Sequence, residues 1–193
     1  TERLKNDIKV EDGVIYMSID DMKNFFDKYI YIEDEINEIV TTYDDKIASI
    51  GFESNKLTLN GSTKKTSAHA IKENETVYLP ISEMKDVYDI QIDNIADSKI
   101  IVIDSLEKEQ VQAKTKSDVS VKAKKEGFSK TVDKIEKDNQ VIVIKNNNNE
   151  ISEKGWTKIR TQSGMLGYVK TSKLDEITTT REAKEQAKQM KMK

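Results

Sequence analysis

The stretch Gly155-Trp-Thr-Lys-Ile-Arg-Thr-Gln-Ser-Gly-Met-Leu-Gly-Tyr-Val-Lys-Thr-Ser-Lys-Leu174 contains two short β-like runs, Trp156 to Arg160 and Leu166 to Lys170, on either side of a hairpin glycine, Gly164. Runs of the same kind occur upstream at Val119 to Lys122, Thr131 to Ile135 and Gln140 to Lys145, and Leu174 adds another downstream. Short strands at such close spacing specify a small all-β barrel or sandwich. Residues 117–177 are therefore expected to form one β domain.

Upstream of this domain, SLEKEQVQAKTK (residues 105–116) loses the β alternation and is rich in Lys, Glu and Gln, as an exposed linker would be. A length of 193 residues accommodates two small domains, so residues 1–104 are read as a separate one. Within it, Tyr16-Met-Ser-Ile-Asp-Asp-Met-Lys-Asn-Phe-Phe26 aligns without gaps to Tyr78-Leu-Pro-Ile-Ser-Glu-Met-Lys-Asp-Val-Tyr88. In each copy a short β segment, Val14 to Tyr16 or Thr76 to Leu79, meets a helix-start signal. Met22, Phe25, Phe26 and Tyr29 then fall at helical spacing, as do Ile81, Met84, Val87 and Tyr88, and both stripes are expected to bury. Ser18 fits an N-cap, and Pro80 occupies the matching position, where the missing amide donor is tolerated. Further strands are expected at Glu38 to Thr42, Lys46 to Gly51, Lys56 to Leu59, Thr66 to Lys72, Ile90 to Ile92 and Lys99 to Asp104. The expected fold class is thus an α+β first domain of repeated strand-helix units on a mixed or antiparallel sheet, followed by an all-β barrel. From Thr178 the pattern changes again. Ala183, Ala187 and Met190 fall at helical spacing, so residues 178–193 are expected to be a charged linker or tail.

Composition excludes several function classes. Thirty-two basic against 35 acidic residues give a net charge of -3, with the signs interspersed, so the basic footprint of a nucleic-acid binder is absent. Without cysteine there is no disulfide, thiolate metal site or thiol nucleophile. No apolar run approaches the roughly 18 residues needed for a membrane span. The chain starts at Thr1 and ends in a polar, lysine-rich stretch, and it is expected to be a piece of a longer polypeptide.

No catalytic constellation can be assembled. His69 is the only histidine and lies in a strand-like segment, with no second histidine for a metal site or proton relay. Asp20 and Asp21 sit where a helix begins, a position that favours carboxylates through the dipole. Glu33, Asp34 and Glu35 lie in polar sequence. Asn146 to Asn149 lack the acidic pattern of a calcium loop and read as a solvated hairpin tip. No catalytic residue, metal ligand or cofactor is therefore expected. Trp156, Tyr168 and Phe128 are the candidates for ligand binding, because flat aromatic faces stack on sugars or grip peptides. For Trp156 and Tyr168 the competing reading is bulk in a small barrel's core, and that reading is preferred.

Two resemblances bear on function. The strings VIYMSIDDM, VYLPISEMKDVYDIQID and KIIVID resemble the copper amine oxidase N-terminal-like family, often called a stalk domain, over roughly residues 5–104. That likeness implies neither copper nor amine oxidation. VSVKAKKEG, VDKIEKDNQVIVI and the Gly155 to Leu174 stretch resemble the bacterial SH3 family, whose characteristic segments fall here at Ser120-Val121-Lys122, Gly155 to Ile159 and Gly167-Tyr168-Val169. Ser120 and Lys122 replace the usual Asn and Arg of that pattern, and Asn139 replaces a common turn glycine. The tandem looks like the N-terminal region of secreted clostridial-type cell-wall or spore-lytic hydrolases, in which a family 18 glycoside hydrolase domain commonly follows. The resemblance implies a non-catalytic, extracellular, wall- or spore-associated targeting and spacer region. Its implied partners are peptidoglycan or another cell-wall polymer and a C-terminal catalytic domain of the same parent chain. The alternative is a purely structural or oligomerising pair of modules that positions that domain.

Overall fold

The computed structural model describes residues 3–180, and the chain divides into two compact units, Thr1–Ile92 and Asp93–Lys193. The first unit opens with a hairpin of β1 (Lys9–Glu11) and β2 (Val14–Ser18). Asp12 and Gly13, both at positive φ (50° and 78°), make its tight turn. Helix α1 (Ile19–Phe25) follows at once, and the Ser18 side chain caps it by accepting the Asp21 N–H. Next, β3 (Tyr31–Glu33), β4 (Glu38–Tyr43), β5 (Lys46–Gly51), β6 (Lys56–Leu59) and β7 (Ser62–Lys65) form an antiparallel meander in chain order. A second hairpin, β8 (Ile71–Glu73) and β9 (Thr76–Pro80), leads through a 3-10 turn at Ile81–Glu83 into α2 (Lys85–Tyr88).

The sequence repeat is built into this unit as two hairpins of one register. Lys9 opposes Tyr16 as Ile71 opposes Tyr78, and Glu11 opposes Val14 as Glu73 opposes Thr76. The hairpins join in the order β1-β2-β9-β8. Across the central pair Tyr16 opposes Pro80, Met17 opposes Leu79 and Ser18 opposes Tyr78, a self-complementary pattern centred on Met17 and Leu79. The equivalence extends to hydrogen bonds, since Asp21 accepts the Lys5 N–H at 2.8 Å and its counterpart Glu83 accepts the Ser67 N–H at 3.2 Å.

The α+β expectation is corrected by this arrangement. The molecule is 49% strand and 10% helix, a β-sandwich or barrel-like fold. The helices that were to define the repeat have seven and four residues, too short to form a layer of their own. The apolar stripe behind the helix reading outruns α1. Phe26 N–H and Asp27 N–H both reach Met22 O, and the chain turns there. Met22 is buried, whereas Phe25 and Tyr29 are exposed and Phe26 is half-buried. In the second copy Ile81, Met84, Val87 and Tyr88 are all buried, but on a 3-10 turn and a single helical turn. Strands β3 and β7 lie where none was expected. The strand expected over Thr66 to Lys72 begins only at Ile71.

Strand β10 (Ile90–Ile95) pairs with β11 (Ile100–Ser105) as a hairpin. The second unit's main element is a seven-stranded sheet of β12 (Val111–Thr115), β13 (Val119–Lys122), β14 (Thr131–Ile135), β15 (Gln140–Ile144), β16 (Trp156–Arg160), β17 (Leu166–Lys170) and β18 (Leu174–Thr179). Its order is β14-β13-β17-β16-β15-β12-β18, and neighbouring strands pair antiparallel. Ala113, Val121, Val141, Val143, Ile159 and Val169 form its core with Leu174. At Gly167 a Cβ would lie 2.5 Å from Val121 Cγ1 and 2.8 Å from Lys122 O, so β17 crosses β13 only with glycine there. Arg160 holds β11 against β16 through a two-pronged bond to Asp104 at 2.9 and 2.7 Å.

Two boundaries also change. Of residues 105–116, expected as a linker, Val111–Thr115 form β12 and pair with both β15 and β18. Lys and Gln dominate that composition, yet Ala113 and Thr115 point inward and are each 1% exposed. Thr178 and Thr179, expected in the tail, pair with Gln112 and Val111. Residues 181–193 of the expected tail, with Ala183, Ala187 and Met190, lie outside the described residues.

Candidate ligand-binding groove

Alternation along β16 and β17 sorts their side chains by face. Thr157, Ile159, Gly167 and Val169 turn inward and are buried, while Trp156, Lys158 and Tyr168 point outward and are half-buried. Lys158 stands directly opposite Tyr168, and Trp156 opposite Lys170. Trp156 and Tyr168 are therefore diagonal neighbours on one face. The preference for core packing is corrected here. The inward positions of these strands are filled by Thr, Ile, Gly and Val, and the two large rings occupy the other parity.

Both rings line a groove of about 620 Å³ whose walls include Lys125, Lys158, Asn146 and Glu153. Phe128 does not line it. It stands fully exposed, at 107%, on the loop between β13 and β14. The structure thus brings two of the three candidate aromatics together and leaves the third outside.

Two of the charges lining the groove, Lys125 and Glu153, pair with each other. Lys125 Nζ lies 2.6 Å from Glu153 Oε1 and 5.9 Å from the centre of the Tyr168 ring. The hydrogen bond and charge of Lys125 hold the Glu153 carboxyl below its ordinary pKa. Lys170 Nζ lies 5.1 Å from the centre of the Trp156 ring. One wall is the asparagine tip, where Asn146 Oδ1 accepts the Asn148 and Glu150 N–H groups at 3.0 and 2.9 Å. Asn146 Nδ2 also donates to Glu150 Oε2 at 3.0 Å. Those bonds lock the turn as an Asx motif. Sequence reasoning missed Lys125, Lys158 and Glu153. For Lys158 the signal was available, because it shares the parity of Trp156.

Of the acids set aside on sequence grounds, Asp20 and Asp21 have structural partners. The Asp21 carboxylate is buried and accepts the Lys5 and Asn6 N–H groups and the Ser18 hydroxyl. Desolvation pushes its pKa up, but these donors outweigh it and the net shift is downward. Asp20 pairs with Lys5 Nζ at 2.5 Å. His69 is half-buried in the loop before β8, its Nδ1 2.8 Å from Ala70 O.

No protein-family model, curated protein or solved structure matches the chain. Among the described residues, no helix is long and apolar enough to cross a membrane.

Proposed function

We propose that the chain is a non-catalytic targeting and spacer region of a secreted cell-wall or spore-lytic hydrolase, with a bacterial SH3-like second unit whose groove receives the peptide stems of peptidoglycan. The observation that carries this reading is the outward placement of Trp156 and Tyr168 beside Lys158 on one groove. Two large rings left half in water supply the apolar contact area of a ligand site. Lys158 and Lys125 suit the carboxylates of a short peptide, and Glu153 suits an ammonium group, so the groove matches a zwitterionic stem. The first unit acts as the spacer, and a family 18 glycoside hydrolase domain of the same parent chain is the expected partner.

Co-sedimentation with purified Gram-positive cell walls tests the proposal. The wild type should pellet with the walls, and Trp156→Ala should stay in the supernatant while keeping its circular dichroism spectrum and unfolding midpoint. No pelleting of the wild type, or equal pelleting of a folded Trp156→Ala, would count against it.

A further inference from the structure

The first unit has a groove of its own, about 510 Å³, lined by Phe25, Phe26, Tyr29 and Tyr43. Two of its rings are left in water by a segment that is otherwise well anchored. Tyr29 is 61% and Phe25 37% exposed, yet Met22 and Ile30 on either side are at most 1% exposed.

What anchors the segment is a buried carboxylate. Asp27 is 3% exposed. Its Oδ1 accepts the Tyr29 N–H at 3.1 Å, and its Oδ2 accepts the hydroxyls of Thr41 and of Tyr88, the latter at 3.0 Å. Burial and the adjacent Asp27 carboxylate push the Tyr88 pKa well up, so its hydroxyl remains a donor. The Tyr88 ring in turn meets Tyr43 edge-on, with centroids 4.9 Å apart and planes at 71°. One polar knot therefore sets both the backbone of Tyr29 and the ring of Tyr43. Burying a carboxylate is strongly unfavourable unless it is well bonded, and here its bonds hold aromatic walls in place.

The chemistry of the rim narrows the ligand. Among the lining residues Lys23 and Lys28 are matched in number by Asp44 and by the buried Asp27, so the lining carries no net charge, while Asn24 and Thr42 add amide and hydroxyl groups. Lys28 Nζ lies 4.9 Å from the centre of the Tyr29 ring and braces it at the rim. Flat apolar faces, no net charge and mixed donors and acceptors complement the apolar faces and hydroxyl edges of sugar rings. We infer that the first unit carries a second binding site, one for an uncharged saccharide chain, built on Phe25, Tyr29 and Tyr43 and independent of the groove at Trp156.

Calorimetric titration of the full chain with β-1,4-linked tetramers of glucose and of N-acetylglucosamine tests this inference. At least one tetramer should bind at millimolar concentration. Tyr29→Ala and Phe25→Ala, both at exposed positions and checked for native circular dichroism, should each weaken binding by roughly three- to tenfold, the usual worth of one aromatic stacking contact. Trp156→Ala should bind as the wild type does. The inference is overturned if neither tetramer binds the wild type, if both exposed-ring variants bind unchanged, or if Trp156→Ala abolishes binding.

Discussion

The hairpins Lys9–Ser18 and Ile71–Pro80 share a register, yet the segments that follow them part company. Val87 and Tyr88 are buried, whereas their equivalents Phe25 and Phe26 are exposed and half-buried. Asp27 is buried beneath the hydroxyls of Thr41 and Tyr88. Its equivalent, Asp89, sits near the surface and pairs with Lys46 Nζ at 2.6 Å. A repeated sequence thus specifies the strands, but long-range contacts decide the fate of the residues after them. Tyr88 of one copy donates to Asp27 of the other, so the copies interlock without being alike. That asymmetry leaves the aromatic groove on the first copy.

Substituting the two equivalent aspartates separates them most strongly. Asp27→Ala strips an acceptor from two buried hydroxyls and an amide, so urea unfolding should show a loss of about 3 kcal/mol or more. Asp89→Asn removes the charge of a partly exposed ion pair while still tolerating the left-handed backbone at φ 49°, and should lose under about 1 kcal/mol. Similar losses would break the comparison. Next in size is Asp21→Asn, which weakens charge-assisted bonds from two backbone amides and should lose about 2 kcal/mol at neutral pH. The folded-state pKa of Asp21 is depressed. Its stabilisation is therefore complete above the ordinary carboxylate pKa of about 4 and is lost as pH falls through the lower folded value. Unfolding curves of variant and wild type should accordingly converge in acid, and a gap that stays constant with pH would contradict this role.

Smaller effects sharpen the same comparison. Tyr88→Phe keeps the buried ring and removes one donor to Asp27, so it should lose about 1 kcal/mol in the same denaturation assay. Glu75 occupies, at φ 68°, the turn position that Gly13 fills in the first hairpin. A non-glycine residue is disfavoured there by about 1–2 kcal/mol, partly offset by the greater freedom of glycine in the unfolded chain. Glu75→Gly should therefore raise the unfolding midpoint, with a gain of up to about 1 kcal/mol.

Much of the strand pattern was legible in the sequence, because period-two runs such as Trp156 to Arg160 and Lys46 to Gly51 carry their own signal. The outward parity of Trp156 and Tyr168 was present in the same runs, but bulk was weighed above alternation. Helical spacing over Met22, Phe25, Phe26 and Tyr29 misled because a short stripe does not show where the helix stops. α1 ends at Phe25, and the following turn is closed by bonds from Asp27 to residues remote in sequence. No local pattern encodes the Asp27, Thr41 and Tyr88 knot, so the first-unit groove could not be read before the fold. Residues Val111–Thr115 were hidden by their charged and amide-rich composition, although small side chains alternate there.

Trp156 is the only tryptophan in the chain, so its fluorescence reports directly on the groove proposed to bind cell-wall stems. Titration with soluble peptidoglycan stem peptides should shift and saturate this emission at the concentrations that release the chain from sedimented walls. Emission unchanged while the peptides displace the chain from the walls would place binding elsewhere and contradict the account.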